Sequence, residues 1–390
     1  MIYSAGNRIS LLETGDDYFP ALEKAMDGAL AEVHLEAYIF NDDATGQRIA
    51  AALMRAARRG VATRVLIDGI GSKRLGSGLR TALTDAGVQL LVYRPEPQGF
   101  SLRVRHLRRM HRKLAVIDGR LAFCGGINVN DDRGEDRGDV PAPPRYDFAL
   151  RIEGPLVGEV HRAVRRLWLL VRWVSLDGNA YPPMARIAAP PPLSDGVRAA
   201  FISRDNLRYR RHIEDAYLAA ISASRQEVLI ACAYFLPGRR IRRALLDAVA
   251  RGVSVRLLLQ GQPDHPLVHQ ATHAMYRLLT NAGIEVWEYT AAHLHAKVAV
   301  IDSQWVTVGS SNIDPFSLWL SREGNVVVDD AGVAGALRAS LERAMTSGSR
   351  RITKELAAPL PLTQRAVTWF AYQLARWVIG LSGHASGDEF

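Results

Sequence analysis

Short β-branched apolar runs recur along the chain, separated by stretches in which apolar residues return every three or four positions. The first pattern suits strands covered on both faces and the second suits helices that bury one side, so an α/β fold is expected. The pattern also repeats. Val33-His-Leu-Glu-Ala-Tyr-Ile-Phe40 is echoed by Val228-Leu-Ile-Ala-Cys-Ala-Tyr-Phe235. The helical stretch and strand from Ala51 to Gly69 return from Ala244 to Gly261, and Leu83-Thr-Asp-Ala-Gly87 returns as Leu279-Thr-Asn-Ala-Gly283. Two copies of one α/β unit are therefore expected. The proline-rich stretch from Tyr181 to Pro192 can continue neither element type and marks the break. This predicts a first repeat over 1–180, a linker over 181–196, a second repeat over 197–358 and a separate C-terminal segment over 359–390.

Each copy delivers the same frame, His-x-Lys-x-x-x-x-Asp. It is read as His111-Arg-Lys113-Leu-Ala-Val-Ile-Asp118 and as His295-Ala-Lys297-Val-Ala-Val-Ile-Asp302. Chance gives two full matches on the order of one time in ten thousand. Residues two apart on a strand share a face, so each histidine points with its lysine. The apolar run that follows makes a stiff core strand, which suits a positioned nucleophile. Only five of the 49 basic residues are lysine. Keeping two of them here points to a need for compact positive charge, with phosphate as the natural target.

Asp118 and Asp302 complete the frames and are grouped with His111, Lys113, His295 and Lys297 as catalytic motif members. At the far end of the strand, however, they read as turn residues. The next strand in each copy ends in small residues and an asparagine, Gly125-Gly126-Ile-Asn128 and Gly309-Ser310-Ser311-Asn312. Small side chains let a phosphate approach the backbone, and Asn128 and Asn312 are candidate donors to its oxygens. Ser310 adds a phosphate-side hydroxyl that Gly126 lacks.

Composition narrows the partners. A hydrophobic share of 48% and a charged share of 23% are ordinary for a folded protein, whereas a net charge of +9 favours a polyanion, either nucleic acid or an anionic membrane surface. Cys124 and Cys232 lie in apolar runs and read as buried free thiols. No secretory leader and no run of 18 apolar residues is found, so a cytoplasmic setting is expected. No metal-ligand cluster stands out. Leu362 to Leu381 holds Trp369, Phe370, Tyr372 and Trp377 with only Arg365 and Arg376 charged, the pattern of an amphipathic helix in a bilayer interface or of one docked on the core. Val164 to Trp173 is a second candidate, too short to span and so either buried or dipping into a surface. The first copy also has an arginine-rich connection, Arg94 to Met110 with Arg103, Arg105, Arg108 and Arg109. It reads as a steering loop for an anionic substrate or as a solvated loop.

The paired frames with their downstream Gly/Ser and Asn elements resemble the phospholipase D superfamily, over nearly the whole stretch from Asn7 to Val328. Asn206 to Tyr217, Cys232 to Pro237 and Tyr146 to Pro155 are similar to its bacterial cardiolipin synthase branch, in the group without N-terminal membrane-spanning helices. The resemblance implies two tandem phospholipase D-like α/β repeats, mixed sheets flanked by helices, that form one pseudo-twofold active site, with a C-terminal amphipathic helix attached. It implies that one histidine attacks phosphorus to give a phosphohistidine while the other serves as acid and then base. Lys113, Lys297, Asn128 and Asn312 would hold the phosphoryl oxygens without a cofactor or metal. Asp147 and Glu323 match positions of acids that hold the far nitrogens of the histidines. Which histidine attacks stays open, with His111 preferred. The implied activity joins two phosphatidylglycerols into cardiolipin and glycerol. It would be performed by a peripheral protein at the cytoplasmic face of the cell membrane, with no obligate nucleic acid. Hydrolysis of phospholipid or nucleic acid through the same intermediate, and a non-catalytic lipid-binding scaffold, are the alternatives.

Overall fold

The computed structural model describes residues 1–95, 108–133, 142–175, 188–205, 209–262, 266–314, 321–354 and 356. The first half runs β1 (Ser4–Glu13), α1 (Thr14–Asp27), β2 (Glu32–Ala37), α2 (Ala44–Arg58), β3 (Ala62–Asp68), α3 (Ser77–Asp85), β4 (Gln89–Tyr93), β5 (Leu114–Ile117), β6 (Leu121–Gly125), β7 (Phe148–Glu153) and α4 (Leu156–Ser175). The second half repeats the order as β8 (Val197–Arg204), α5 (His212–Ala223), β9 (Glu227–Cys232), α6 (Arg239–Ala250), β10 (Ser254–Gln260), α7 (Pro266–Asn281), β11 (Glu285–Tyr289), β12 (Lys297–Ile301), β13 (Trp305–Gly309), β14 (Glu323–Asp329) and α8 (Ala331–Gly348). A short β15 (Ser349–Ile352) then closes the far edge beside β11.

The strands form one mixed sheet in the order β15-β11-β10-β9-β12-β13-β14-β8-β1-β7-β6-β5-β2-β3-β4. Outward from the antiparallel β8–β1 seam, the two halves are the same list: β1-β7-β6-β5-β2-β3-β4 and β8-β14-β13-β12-β9-β10-β11. The duplication in sequence is thus a pseudo-twofold in space. Every residue of β2, β9 and β12 is buried, as central strands covered on both faces require. That double coverage is why β9 and β12 read as nearly continuous apolar runs, whereas β2, Glu32-Val-His-Leu-Glu-Ala37, alternates and buries its polar side chains in ion pairs. The tight turns from α2 into β3 and from α6 into β10 both place a glycine at positive φ, 87° at Gly60 and 85° at Gly252. A Cβ there would strain the backbone in either half.

The sheet folds back at its seam, so that β6 and β7 pack against β13 and β14. Cys124 Sγ lies 3.7 Å from the Gly324 carbonyl oxygen across this contact. One core draws Val116 and Leu150 from the first half, Val300 and Val326 from the second, and the buried faces of α4 and α8. Separate outer cores lie under α1 and α2 and under α5 and α6. Cys124 and Cys232 are free and buried, and burial pushes both thiols up to about 12. No helix among the described residues is long and apolar enough to cross a membrane. The C-terminal segment with Trp369, Phe370 and Trp377, the first part of the linker (181–187), and Arg103 and Arg105 lie outside the described residues.

Candidate active site

The two motif histidines sit just ahead of β5 and β12, and each is fixed to the opposite half. The His111 N–H donates to the Arg322 carbonyl at 2.9 Å, and the His295 N–H donates to the Tyr146 carbonyl at 2.9 Å. Bridges Met110–Arg322 and Tyr146–Leu294 repeat the same arrangement about the pseudo-twofold. The residue after each bridging partner is the supporting acid, so the acids cross over too. His111 Nδ1 lies 3.1 Å from Glu323 of the second half, and His295 Nδ1 lies 2.6 Å from Asp147 of the first. Both carboxylates are buried, while the imidazoles keep 16% and 17% of their side-chain surface. With its far nitrogen bound to a carboxylate, each ring presents Nε2 to the reactants.

The lysines complete one cationic cluster. Lys113 Nζ donates to the His111 carbonyl at 2.7 Å, and Lys297 Nζ donates to that of His295. Both ammonium groups act on both rings. Burial first, then Lys113 and Lys297, lower the His111 pKa below the usual histidine range, with Glu323 opposing. Burial, then Lys297, Lys113, Arg145 and His111, lower that of His295 further. Burial and the neighbouring Lys297 charge bring Lys113 down to about 7, against the pull of Glu323, while burial raises Asp147 to about 6.

Asn128 and Asn312 occupy equivalent places. Their carbonyl oxygens accept the N–H of Ile39 at 3.2 Å and of Tyr234 at 3.4 Å. Each oxygen is held by backbone, which fixes the orientation of the side-chain amide. Asn128 also lines a small cleft together with Asp147, Arg145 and His295. Asparagine of one half therefore faces histidine of the other.

Three expectations are corrected. Ser310 is not a phosphate-side hydroxyl: it is fully buried, donates to Glu323 at 2.5 Å and accepts from the Gly324 N–H at 3.1 Å. Its work is to brace the acid behind His111. Asp118 and Asp302 take no part in the cluster and do not belong with the catalytic residues. Each adopts positive φ, 52° and 50°, and gathers three backbone N–H groups, from Leu30, Ala31 and Glu32 and from Arg225, Gln226 and Glu227. They tie the far end of the motif strand to the start of β2 or β9. Arg109 belongs to neither a steering loop nor a solvated one. Nearly buried, it donates to Asp68 Oδ1 at 2.6 and 3.0 Å, and the Met110 N–H joins the same carboxylate at 3.0 Å. This pair anchors the backbone at Met110, just ahead of His111.

Sequence reasoning also missed Tyr38, whose ring meets His111 edge-on at 4.6 Å and lies 5.2 Å from the Lys113 ammonium. Its place in the repeated strand was visible, but its partner in the other copy is Ala233, so duplication could not flag it. Two His/Glu groups also form outside the site, although no metal-ligand cluster stood out in the sequence. Glu32, His34 and His161 meet between β2 and α4, and His269, His273 and Glu288 meet between α7 and β11. Each carboxylate already has a guanidinium: Arg64 stands 3.4 Å from Glu32, and Arg350 stands 2.7 Å from Glu288. They read as buried charge networks.

Comparison with known proteins bears on the family and the fold. A family model described as "Cardiolipin synthase, PLD-like domain" matches residues 22–137 and 217–345. The chain is 38% identical to cardiolipin synthase B of Salmonella typhi over 90% of its own length and 83% of that protein. It is 32% identical to cardiolipin synthase A of Pseudomonas aeruginosa, over 87% of this chain and 67% of the other. Among solved structures, phosphatidylserine synthase of Haemophilus influenzae superposes with a TM-score of 0.67 at 13% identity, covering 95% of this chain and 93% of that one. At that identity the likeness concerns the fold.

Proposed function

The chain belongs to the phospholipase D-like cardiolipin synthase family, and from that premise we propose that its crossed histidine–carboxylate pairs perform a two-step phosphatidyl transfer. It is an enzyme of phospholipid biosynthesis, a phosphatidyltransferase that makes cardiolipin. The observation that carries the mechanism is the exchange of acids between halves: His111 rests on Glu323 and His295 on Asp147. Neither half contains a complete site.

In the first step, Nε2 of one histidine attacks the phosphorus of phosphatidylglycerol. The bond from phosphorus to the glycerol oxygen breaks, and the other histidine gives that oxygen its proton. In the second step, that histidine takes the proton from a free hydroxyl of another phosphatidylglycerol. The resulting oxygen attacks the phosphohistidine, cardiolipin leaves and the first ring is restored. Lys113 and Lys297 offset the charge on the phosphoryl oxygens, and Asn128 and Asn312 donate to them. The carboxylates hold the ring orientation and stabilise the imidazolium.

We place the protein as a peripheral one at the cytoplasmic face of the cell membrane, where its +9 charge suits anionic lipids. The test is mass spectrometry of lipids after purified protein meets phosphatidylglycerol vesicles. Cardiolipin and glycerol are expected from the wild type and not from His295→Ala. Phosphatidic acid in their place would make water the acceptor and the enzyme a hydrolase.

A further inference from the structure

The segment Val164 to Trp173 does two things at once in α4. Leu167, Trp168 and Val171 are buried against Tyr93 and Met110, the residue next to His111. Leu169, Leu170, Trp173 and Val174, by contrast, are 49%, 42%, 77% and 66% exposed. Leu169 with Trp173, and Leu170 with Val174, are four residues apart, so the four make one apolar surface over the last two turns. Arg162 and Arg166 are exposed on the side of Leu169 and Trp173, two turns and one turn back respectively.

The helix brings this surface to the active-site end. Strand β7 runs away from Asp147, and α4 starts at its far end, where the Leu156 N–H is held by Asn7 at 2.8 Å. It then returns toward Met110. Twenty helical residues cover about 30 Å, whereas the six of β7 cover about 20 Å, so the last turns project beyond the sheet. The second half supplies an internal control. Helix α8 holds the matching place, and its exposed positions in the last turns are Arg343, Thr346 and Ser347. The fold itself does not call for large apolar side chains there.

We propose that the exposed tip of α4 inserts into the surface of an anionic bilayer and sets the active-site mouth against its lipid substrate. Tryptophan and leucine enter the interface while the arginines behind them meet anionic headgroups, as in other interfacial helices. The charge complementarity and the position beside His111 select a membrane over a protein partner. This reading rests on the phosphatidyltransferase assignment, because the substrate it serves resides in the bilayer.

The test compares wild type with the variant Leu169→Ser/Leu170→Ser/Trp173→Ser/Val174→Ser on vesicles of equal parts phosphatidylglycerol and phosphatidylcholine. Cosedimentation is expected to weaken roughly tenfold or more, and cardiolipin formation on the vesicles to fall with it. Synthesis from phosphatidylglycerol dispersed in non-ionic detergent should stay within about twofold, which also reports that the variant folds. In a second measurement, Trp173→Cys carrying a polarity-sensitive fluorophore is expected to shift to the blue when vesicles are added. Unchanged cosedimentation of the serine variant, or no spectral shift, overturns the proposal. So does a loss of vesicle binding that appears instead in Trp369→Ala/Phe370→Ala/Trp377→Ala. If wild type makes no cardiolipin even in detergent, the transferase assignment fails, while cosedimentation and the spectral shift still decide the docking surface.

Discussion

The two halves place a carboxylate oxygen behind a histidine in the same position, and they do so with different side chains. In the second half Glu323 reaches back to His111 and is braced by the Ser310 hydroxyl. In the first half the shorter Asp147 reaches His295 and lies directly over Gly126, where a Cβ would stand 2.3 Å from Oδ1. A methylene in the acid is exchanged for a side chain on the neighbouring strand. Behind the histidines the contrast is sharper. The first half buries Arg112 against Glu36, with hydrogen bonds of 2.7 and 2.9 Å, where the second half has Ala296 and Ala231. The comparison teaches that the position of the oxygen at Nδ1 is what both halves share, and that its support is free to vary.

The most severe way to break the comparison is to remove one ring at a time. His111→Ala and His295→Ala are each expected to lower kcat for cardiolipin formation by roughly a thousandfold or more, since each step needs both rings. A variant that keeps a tenth of the activity would mean that its half is not chemical. Next comes the buried ion pair. Glu36→Ala leaves Arg112 uncompensated and is expected to cost about 3–5 kcal/mol in denaturant unfolding. The double variant Glu36→Ala/Arg112→Ala copies the second half and should recover most of that loss. If it does not, the two halves are not interchangeable at this position.

Exchanging the small residues sharpens the comparison further. Gly126→Ser drives a side chain into the Asp147 carboxylate and should lower kcat roughly a hundredfold, whereas Ser310→Gly removes only a brace and should cost roughly tenfold. Equal effects would mean that the two acids are not held differently. A milder effect concerns pH. Asp147 must be ionised to accept from His295, so kcat/KM should fall as pH drops through about 6. Lys113 must keep its proton to hold phosphate, so kcat/KM should also fall as pH rises through about 7. The resulting bell describes free enzyme, and Asp147→Asn should erase its acid limb. Smallest of all, Asp118→Ala and Asp302→Ala should each lower stability by about 1–2 kcal/mol through lost backbone bonds and leave kcat near wild type.

Much of this was legible in the chain because duplication is a sequence property. The repeated strands, the two His/Lys frames and the acids downstream of each asparagine were all visible in order. What could not be read was which acid meets which histidine. That depends on the sheet folding back at the β8–β1 seam, which brings Asp147 of one half against His295 of the other. Periodicity reports the face on which a residue lies, not the remote group that it meets. Ser310 was misread for the same reason: small residues near a phosphate site suggest ligand contact, but the hydroxyl is taken by an acid 13 positions later. Arg109 looked like part of a basic run until the fold brought Asp68 beneath it.

The central claim is that one histidine carries the phosphatidyl group between the two lipids while its counterpart moves the proton. The direct measurement is rapid acid-free quenching of enzyme mixed with phosphatidylglycerol, followed by mass spectrometry of the histidine-bearing peptides in wild type, His111→Ala and His295→Ala. The account predicts a phosphatidyl adduct on one of these two residues, lost when that residue is replaced. Cardiolipin forming at the full wild-type rate with no adduct on either histidine would mean direct displacement and would contradict it.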